Sequence, residues 1–152
     1  MVVPSAVFEA ADALTQLLIR PALVKSVLPF PTGILNTIRP RAPGAQRAWQ
    51  RFVALRIPAA DALPMEPLVL PGAIAVIDRH YTSLANYRPN RPNVYAVQRG
   101  AHLVLRYVEL RGHQLVLRPH NMAFPVELIE VEMGASASDR LTGRVVAIVN
   151  RL

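Results

Sequence analysis

The chain has 152 residues, no cysteine, and 17 Lys+Arg against 10 Asp+Glu, for a formal net charge of +7. A hydrophobic content of 52% is too high for an intrinsically disordered chain, and the length suits one domain with a real core. The lack of cysteine excludes a disulfide scaffold, a thiolate-bound metal and a cysteine nucleophile.

Sixteen of the 17 basic residues are arginine, and Lys25 is the sole lysine. A basic excess favours acidic partners, nucleic acid included. The arginines are scattered, with no run of three, whereas a nucleic-acid footprint needs clustering. They read more simply as solvated faces. No stretch approaches the ~18 apolar residues of a membrane span. The best run, residues 68–77, is broken by Pro71-Gly72, and no basic region precedes the N-terminal apolar stretch. The expected location is cytoplasmic, without membrane contact.

In chain order, residues 5–28 read as helical. Ser5 is a cap, Glu9 and Asp12 follow it, and Val7, Ala11, Leu14, Leu17 and Leu18 recur at helical spacing. Pro21 ends or kinks the helix. Residues 29–48 are dense in Pro and Gly (Pro29, Pro31, Gly33, Pro40, Pro43, Gly44) and read as a linker or arm. Ile34, Leu35 and Ile38 within it suggest that the arm packs on something.

From Trp49 the pattern is β. Strands are predicted over residues 52–57, 73–77, 94–98, 102–110, 114–118, 126–132 and 144–149, rich in Val, Ile and Leu and separated by turn residues. Gly112 and Gly100 mark two hairpin connections. The expected domains are a helical segment over residues 1–28, an arm over 29–48 and a β-domain over 49–152.

Nothing in the residues builds a standard catalytic or metal site. The five serines are Ser5, Ser26, Ser83, Ser136 and Ser138; only Ser83 has a histidine nearby, His80, and no third group orients the pair. His80, His102, His113 and His120 lack metal-ligand spacing, although His102 and His113 fall near the ends of adjacent strands and could approach. Glu127, Glu130 and Glu132 suit a solvated sheet face. No cofactor motif occurs. One loop stands out as an edge for an acidic partner: Arg79 and Tyr81 on one side, Tyr87, Arg88 and Arg91 on the other.

Several segments in order carry a family resemblance. Phe52-Val53-Ala54-Leu55-Arg56-Ile57 is followed by Pro64-Met65-Glu66-Pro67 and Leu70-Pro71-Gly72, then by Ala73-Ile74-Ala75-Val76-Ile77-Asp78-Arg79. Next come Val94–Val97 as a short strand, Leu103-Val104-Leu105-Arg106-Tyr107, Leu115-Val116-Leu117-Arg118-Pro119-His120-Asn121 with Phe124-Pro125, and Thr142-Gly143-Arg144-Val145-Val146-Ala147-Ile148-Val149. This series resembles the C-terminal domain of LexA-type self-cleaving repressors, a group that includes phage repressors and the UmuD mutagenesis proteins. The segments echo the family's Ser-Met-Glu-Pro … Pro-Gly-Asp and Leu-x-Pro-x-Asn motifs.

The resemblance implies a mainly β fold, a partly barrel-like antiparallel β-domain here preceded by the short helical segment. It also implies dimerisation. Active members cut their own linker with a serine–lysine dyad, in which a desolvated lysine takes the serine proton. Here Pro64 stands at the serine position, Arg106 at the lysine position, and Ala73 replaces the Asp of the Pro-Gly-Asp turn. Proline has no hydroxyl and arginine keeps its proton, so neither can play its part.

The function expected is that of a catalytically inactive relative acting as a dimerisation or interaction module, in transcriptional regulation or a stress response. Two alternatives stand beside it: a serine peptidase with a non-standard nucleophile, and an arginine-rich nucleic-acid binder. A regulatory protein partner suits the first reading; nucleic acid would be reached only through a separate DNA-binding domain or partner. The expected homodimer interface is Val145, Val146, Ile148 and Val149. That run is apolar on both faces, so its strand must be central in a sheet or covered on its second side.

Overall fold

A computed structural model describes residues 2–7, 24–29, 33, 35, 38, 40, 50–84, 90, 92–99 and 102–150. Among these residues the fold is mainly β, with one short helix. The strands are β1 (Val2–Val7), β2 (Val24–Pro29), β3 (Phe52–Arg56), β4 (Ile74–Asp78), β5 (Val94–Arg99), β6 (His102–Arg111), β7 (Gln114–Arg118), β8 (Glu127–Glu130) and β9 (Leu141–Val149). The helix α1 (Ala59–Ala62) runs directly into a 3-10 turn over Leu63–Met65.

The strands form one sheet in the order β2-β1-β3-β4-β9-β5-β6-β7-β8. Strands β3 to β9 pair antiparallel throughout, and β1 joins β3 in parallel. The sheet is open and does not close into a barrel.

All seven strands expected from Trp49 onward are present, with ends shifted by a few residues. The β6–β7 hairpin turns at Gly112, whose φ of 60° suits glycine in a tight turn. The helical reading of residues 5–28 is corrected at both ends. Residues 5–7 belong to β1, and residues 24–28 to β2. Both ends carry β-branched valines, and Pro4 and Pro29 disfavour a helix interior. β1 also gains ladder partners in β3, with Ser5 opposite Ala54. Residues 8–23 lie outside the described residues.

Strands β3 and β4 bury both faces, which explains their unbroken apolar runs. Val53, Leu55, Ala75 and Ile77 face one cluster, shared with Ala62 and Met65 from α1 and its turn and with Leu103 and Leu105 from β6. Phe52, Ala54, Ile74 and Val76 face the other side and pack with Leu35, which is fully buried. Ile38 also packs there, so two of the arm's apolar residues lie against this face. A separate cluster joins Tyr95, Val97, Val108, Leu115, Leu117 and Leu141.

Arg51 fastens the arm to the sheet. It forms a two-pronged ion pair with the fully buried Asp78, at 3.1 and 3.0 Å, and also donates to the Ile38 carbonyl. The neighbouring Arg79 is 1% exposed and donates from Nε to the Gln50 carbonyl at 2.7 Å. Desolvation pulls its pKa down to about 10.

Candidate functional site

Residues 57–73 form a closed loop between β3 and β4. Ile57 and Ala73 bond as N–H to carbonyl at 2.8 Å, and Gly72 donates back to the Ile57 carbonyl at 2.8 Å. Pro58 precedes α1, and its carbonyl accepts from Ala62 at 3.0 Å. Pro64 opens the 3-10 turn early, where a missing N–H costs least. It is buried, and Met65 beside it enters the core. The following Glu66-Pro67 peptide bond is cis.

The segment after β7 docks on this turn. The Asn121 N–H donates to the Pro64 carbonyl at 2.9 Å, and Asn121 Nδ2 donates to the Leu63 carbonyl at 3.3 Å. Asn121 therefore holds the turn that carries Pro64. Next to it, His120 Nδ1 and the Tyr107 hydroxyl lie 2.7 Å apart, with the rings tilted at a centroid distance of 5.9 Å. Burial raises the Tyr107 pKa. Sequence reading missed this pair, because residues 13 apart meet only through the β6–β7 hairpin register.

Arg106 sits mid-strand on β6, opposite Tyr95, and is 7% exposed. Its Nη1 donates to the carbonyl of Leu105 at 2.7 Å. Desolvation lowers its pKa; the Glu127 carboxylate opposes that shift, Arg99 adds to it, and Asp61 of α1 opposes it. An arginine so placed still keeps its proton at neutral pH. Pro64 offers no hydroxyl, so neither residue supplies a nucleophile or a base.

The strand β9 presents a different feature. It lies between β4 and β5 in the sheet, which pairs its edges. Val145 is buried in one cluster; Ile148 packs against it, and Val146 and Val149 pack against the opposite cluster. Val145 is thus buried, while Val146, Ile148 and Val149 are half-buried. The edge is another matter. β4 pairs with β9 as far as Val149, but β5 pairs only from Leu141 to Arg144. Beyond Arg144, β9 has no ladder partner on that side among the described residues. A cavity of about 490 Å³ runs along this open edge, lined among others by Pro92, Asn93, Tyr107, Val146 and Ile148. The signal in the sequence is Pro92, which cannot donate to a ladder and ends the β5 side early while β9 continues.

Two residues of the expected acidic-partner edge are described. Arg79 and Tyr81 are both buried. Arg79 is drawn inward by the Gln50 carbonyl, and the Arg144 guanidinium lies 4.9 Å from the Tyr81 ring centre. Tyr87, Arg88 and Arg91 lie outside the described residues. His102 and His113 do not approach: they flank opposite ends of the ten-residue β6, roughly 30 Å apart at ~3.3 Å per residue. Among the described residues, no group of three His, Cys, Asp or Glu could hold a metal ion. Ser83 is fixed through its carbonyl, which accepts from the Tyr95 hydroxyl at 2.7 Å.

No described helix is long and apolar enough to cross a membrane. No family model matches the chain, and no curated protein matches it.

Proposed function

We propose that the chain is a catalytically silent relative of the LexA-type self-cleaving domain, acting as a cytoplasmic dimerisation and interaction module in transcriptional regulation or a stress response. Loss of the chemistry is supported by Pro64 and Arg106 at the dyad positions. The interaction role rests chiefly on one observation, the half-open edge of β9. Among the described residues, 145–149 have a ladder partner in β4 only, and a cavity lies beside that edge. A second copy presenting the same residues antiparallel would supply the missing ladder, and such self-pairing closes with two-fold symmetry. Nucleic acid would then be engaged by a separate domain or partner.

Two experiments test this reading. The purified chain held between about pH 7 and pH 10 should keep its mass, since the base that alkali would deprotonate in active relatives is absent here. Fragments from a cut between residues 29 and 50 would overturn the silent assignment. Light scattering should give about twice the monomer mass of 16.7 kDa, falling to the monomer in Ile148→Asp with circular dichroism unchanged. A mass of one chain that does not rise on concentrating would exclude the dimer.

A further inference from the structure

Among the described residues, six large apolar side chains are exposed: Leu63, Leu110, Met122, Val126, Leu128 and Met133. Four of them lie between residues 122 and 133, on β8 and its flanks. Leu63 belongs to the turn that Asn121 grips, and Leu110 lies across Leu115 of β7 from Ile129 of β8. Single exposed apolar residues are ordinary, whereas a cluster on one edge marks an interaction surface. β8 is also a terminal strand. Its inner side pairs with β7, and among the described residues its outer N–H and C=O groups face no strand.

The charge of this edge has one sign. Residues 119–139 hold Glu127, Glu130, Glu132 and Asp139 and no Lys or Arg. Glu127 is tied to Arg99. Glu130 accepts from the neutral Gln114 amide at 2.6 Å, which leaves its charge in place, and Glu132 is exposed. The opposite end of the sheet is the reverse. The other terminal strand is β2, Val-Lys-Ser-Val-Leu-Pro, and residues 13–60 hold seven Lys and Arg and no acid. Charges on an edge strand keep it from pairing with its own kind. Here two acidic edges repel, and so do two basic ones, but an acidic edge against a basic one is favoured.

We propose that β8 is a docking edge for β2 of a second copy of this chain, so that the sheet continues from one molecule into the next. Main-chain hydrogen bonds supply the attachment, as in strand addition, and Lys25 against the carboxylates sets the choice of edge. The contact is head-to-tail, so it builds an open run of copies instead of closing on a two-fold axis. It is separate from the β9 contact and does not depend on the silent-relative reading. A ladder four residues long buries little surface, so association is concentration-dependent, and salt weakens its charged part.

The test is sedimentation of Ile148→Asp, which lacks the β9 contact. Its mean mass should rise above 16.7 kDa with concentration and fall back in high salt. Leu128→Lys with Glu130→Lys, added to that chain, makes both edges basic; Lys25→Glu, added to it separately, makes both acidic. Each variant alone should stay at one chain, and an equal mixture of the two should associate again. Should the double change disturb β8, Glu130→Lys alone serves. A mass that stays at one chain at every concentration would overturn the proposal, and so would association of either variant alone as strong as that of Ile148→Asp. Failure of the β9 reading shows separately, as identical masses for the native chain and Ile148→Asp at every concentration.

Discussion

Gly143 of β9 lies so close to the end of β4 that a Cβ built on it would stand 2.2 Å from the Asp78 carbonyl oxygen. The approach is made by a bulge. Leu141 and Gly143 pair with Val97 and Ala96, leaving Thr142 as an extra residue in β9. The glycine of the Thr-Gly-Arg stretch is thus required by space rather than by backbone angle. Gly143→Ala must push backbone against backbone, and neither strand can move without breaking the β4–β9 ladder. We expect a loss of about 3 kcal/mol or more, at the upper end of overpacking costs. Urea unfolding with an unchanged m-value would measure it.

Asp78 is fully buried and is held by both prongs of Arg51 and by the His80 N–H at 2.9 Å. Asp78→Ala leaves Arg51, which is about a quarter exposed, without its anion and loosens the arm at Ile38. Breaking a fully buried pair costs roughly 3–5 kcal/mol, and the partial exposure of Arg51 brings the expected value to about 2–3 kcal/mol. Thermal melts should show this loss. Limited proteolysis should also show faster cleavage within residues 29–50. Equal cleavage rates would mean that Arg51 does not fasten the arm.

The Thr142 hydroxyl is enclosed and has no hydrogen-bond partner. An orphaned hydroxyl in the interior is a standing cost, and valine has nearly the same shape. Thr142→Val is therefore expected to raise stability by about 1 kcal/mol. A lowered melting temperature would show that the hydroxyl meets a bound water that the fold depends on.

Glu109 accepts from Arg111 Nε at 2.9 Å and from Arg118 Nη2 at 3.3 Å. The Arg111 hydrogen bond leads the contacts that hold its pKa below the ordinary 4.5, against a small desolvation effect in the other direction. Since the folded pKa is the lower one, the stabilisation is fully present above the ordinary value. It is lost as pH falls through the folded value. Such a surface pair is worth less than about 1 kcal/mol. The stability gap between the chain and Glu109→Gln should be visible near pH 7 and should close as pH falls below the ordinary carboxylate range and through the folded value. A gap that persists at low pH would assign the effect to packing.

The sequence by itself determined the β character from Trp49 onward. Val, Ile and Leu runs such as Ile74–Asp78 and Gln114–Arg118 are bounded by Gly, Pro and Asn, and local chemistry is enough to break the chain there. It also pointed to the packing of Leu35 and Ile38, since apolar residues in an arm seek cover.

Only the tertiary structure decided the rest, because it turns on groups far apart in the chain. Val2–Val7 is a strand because β3, some 50 residues on, supplies its ladder. Arg79 is buried because a distant carbonyl at Gln50 accepts its proton, where residue type alone suggests an exposed loop. The open edge of β9 follows from register. Its run of apolar residues calls for cover on its faces, but whether both edges are paired depends on where β5 begins, at Val94, and β5 meets β9 only through the folded sheet. The burial of Arg106 is a fact of the same kind, for a side chain is buried only relative to everything folded around it.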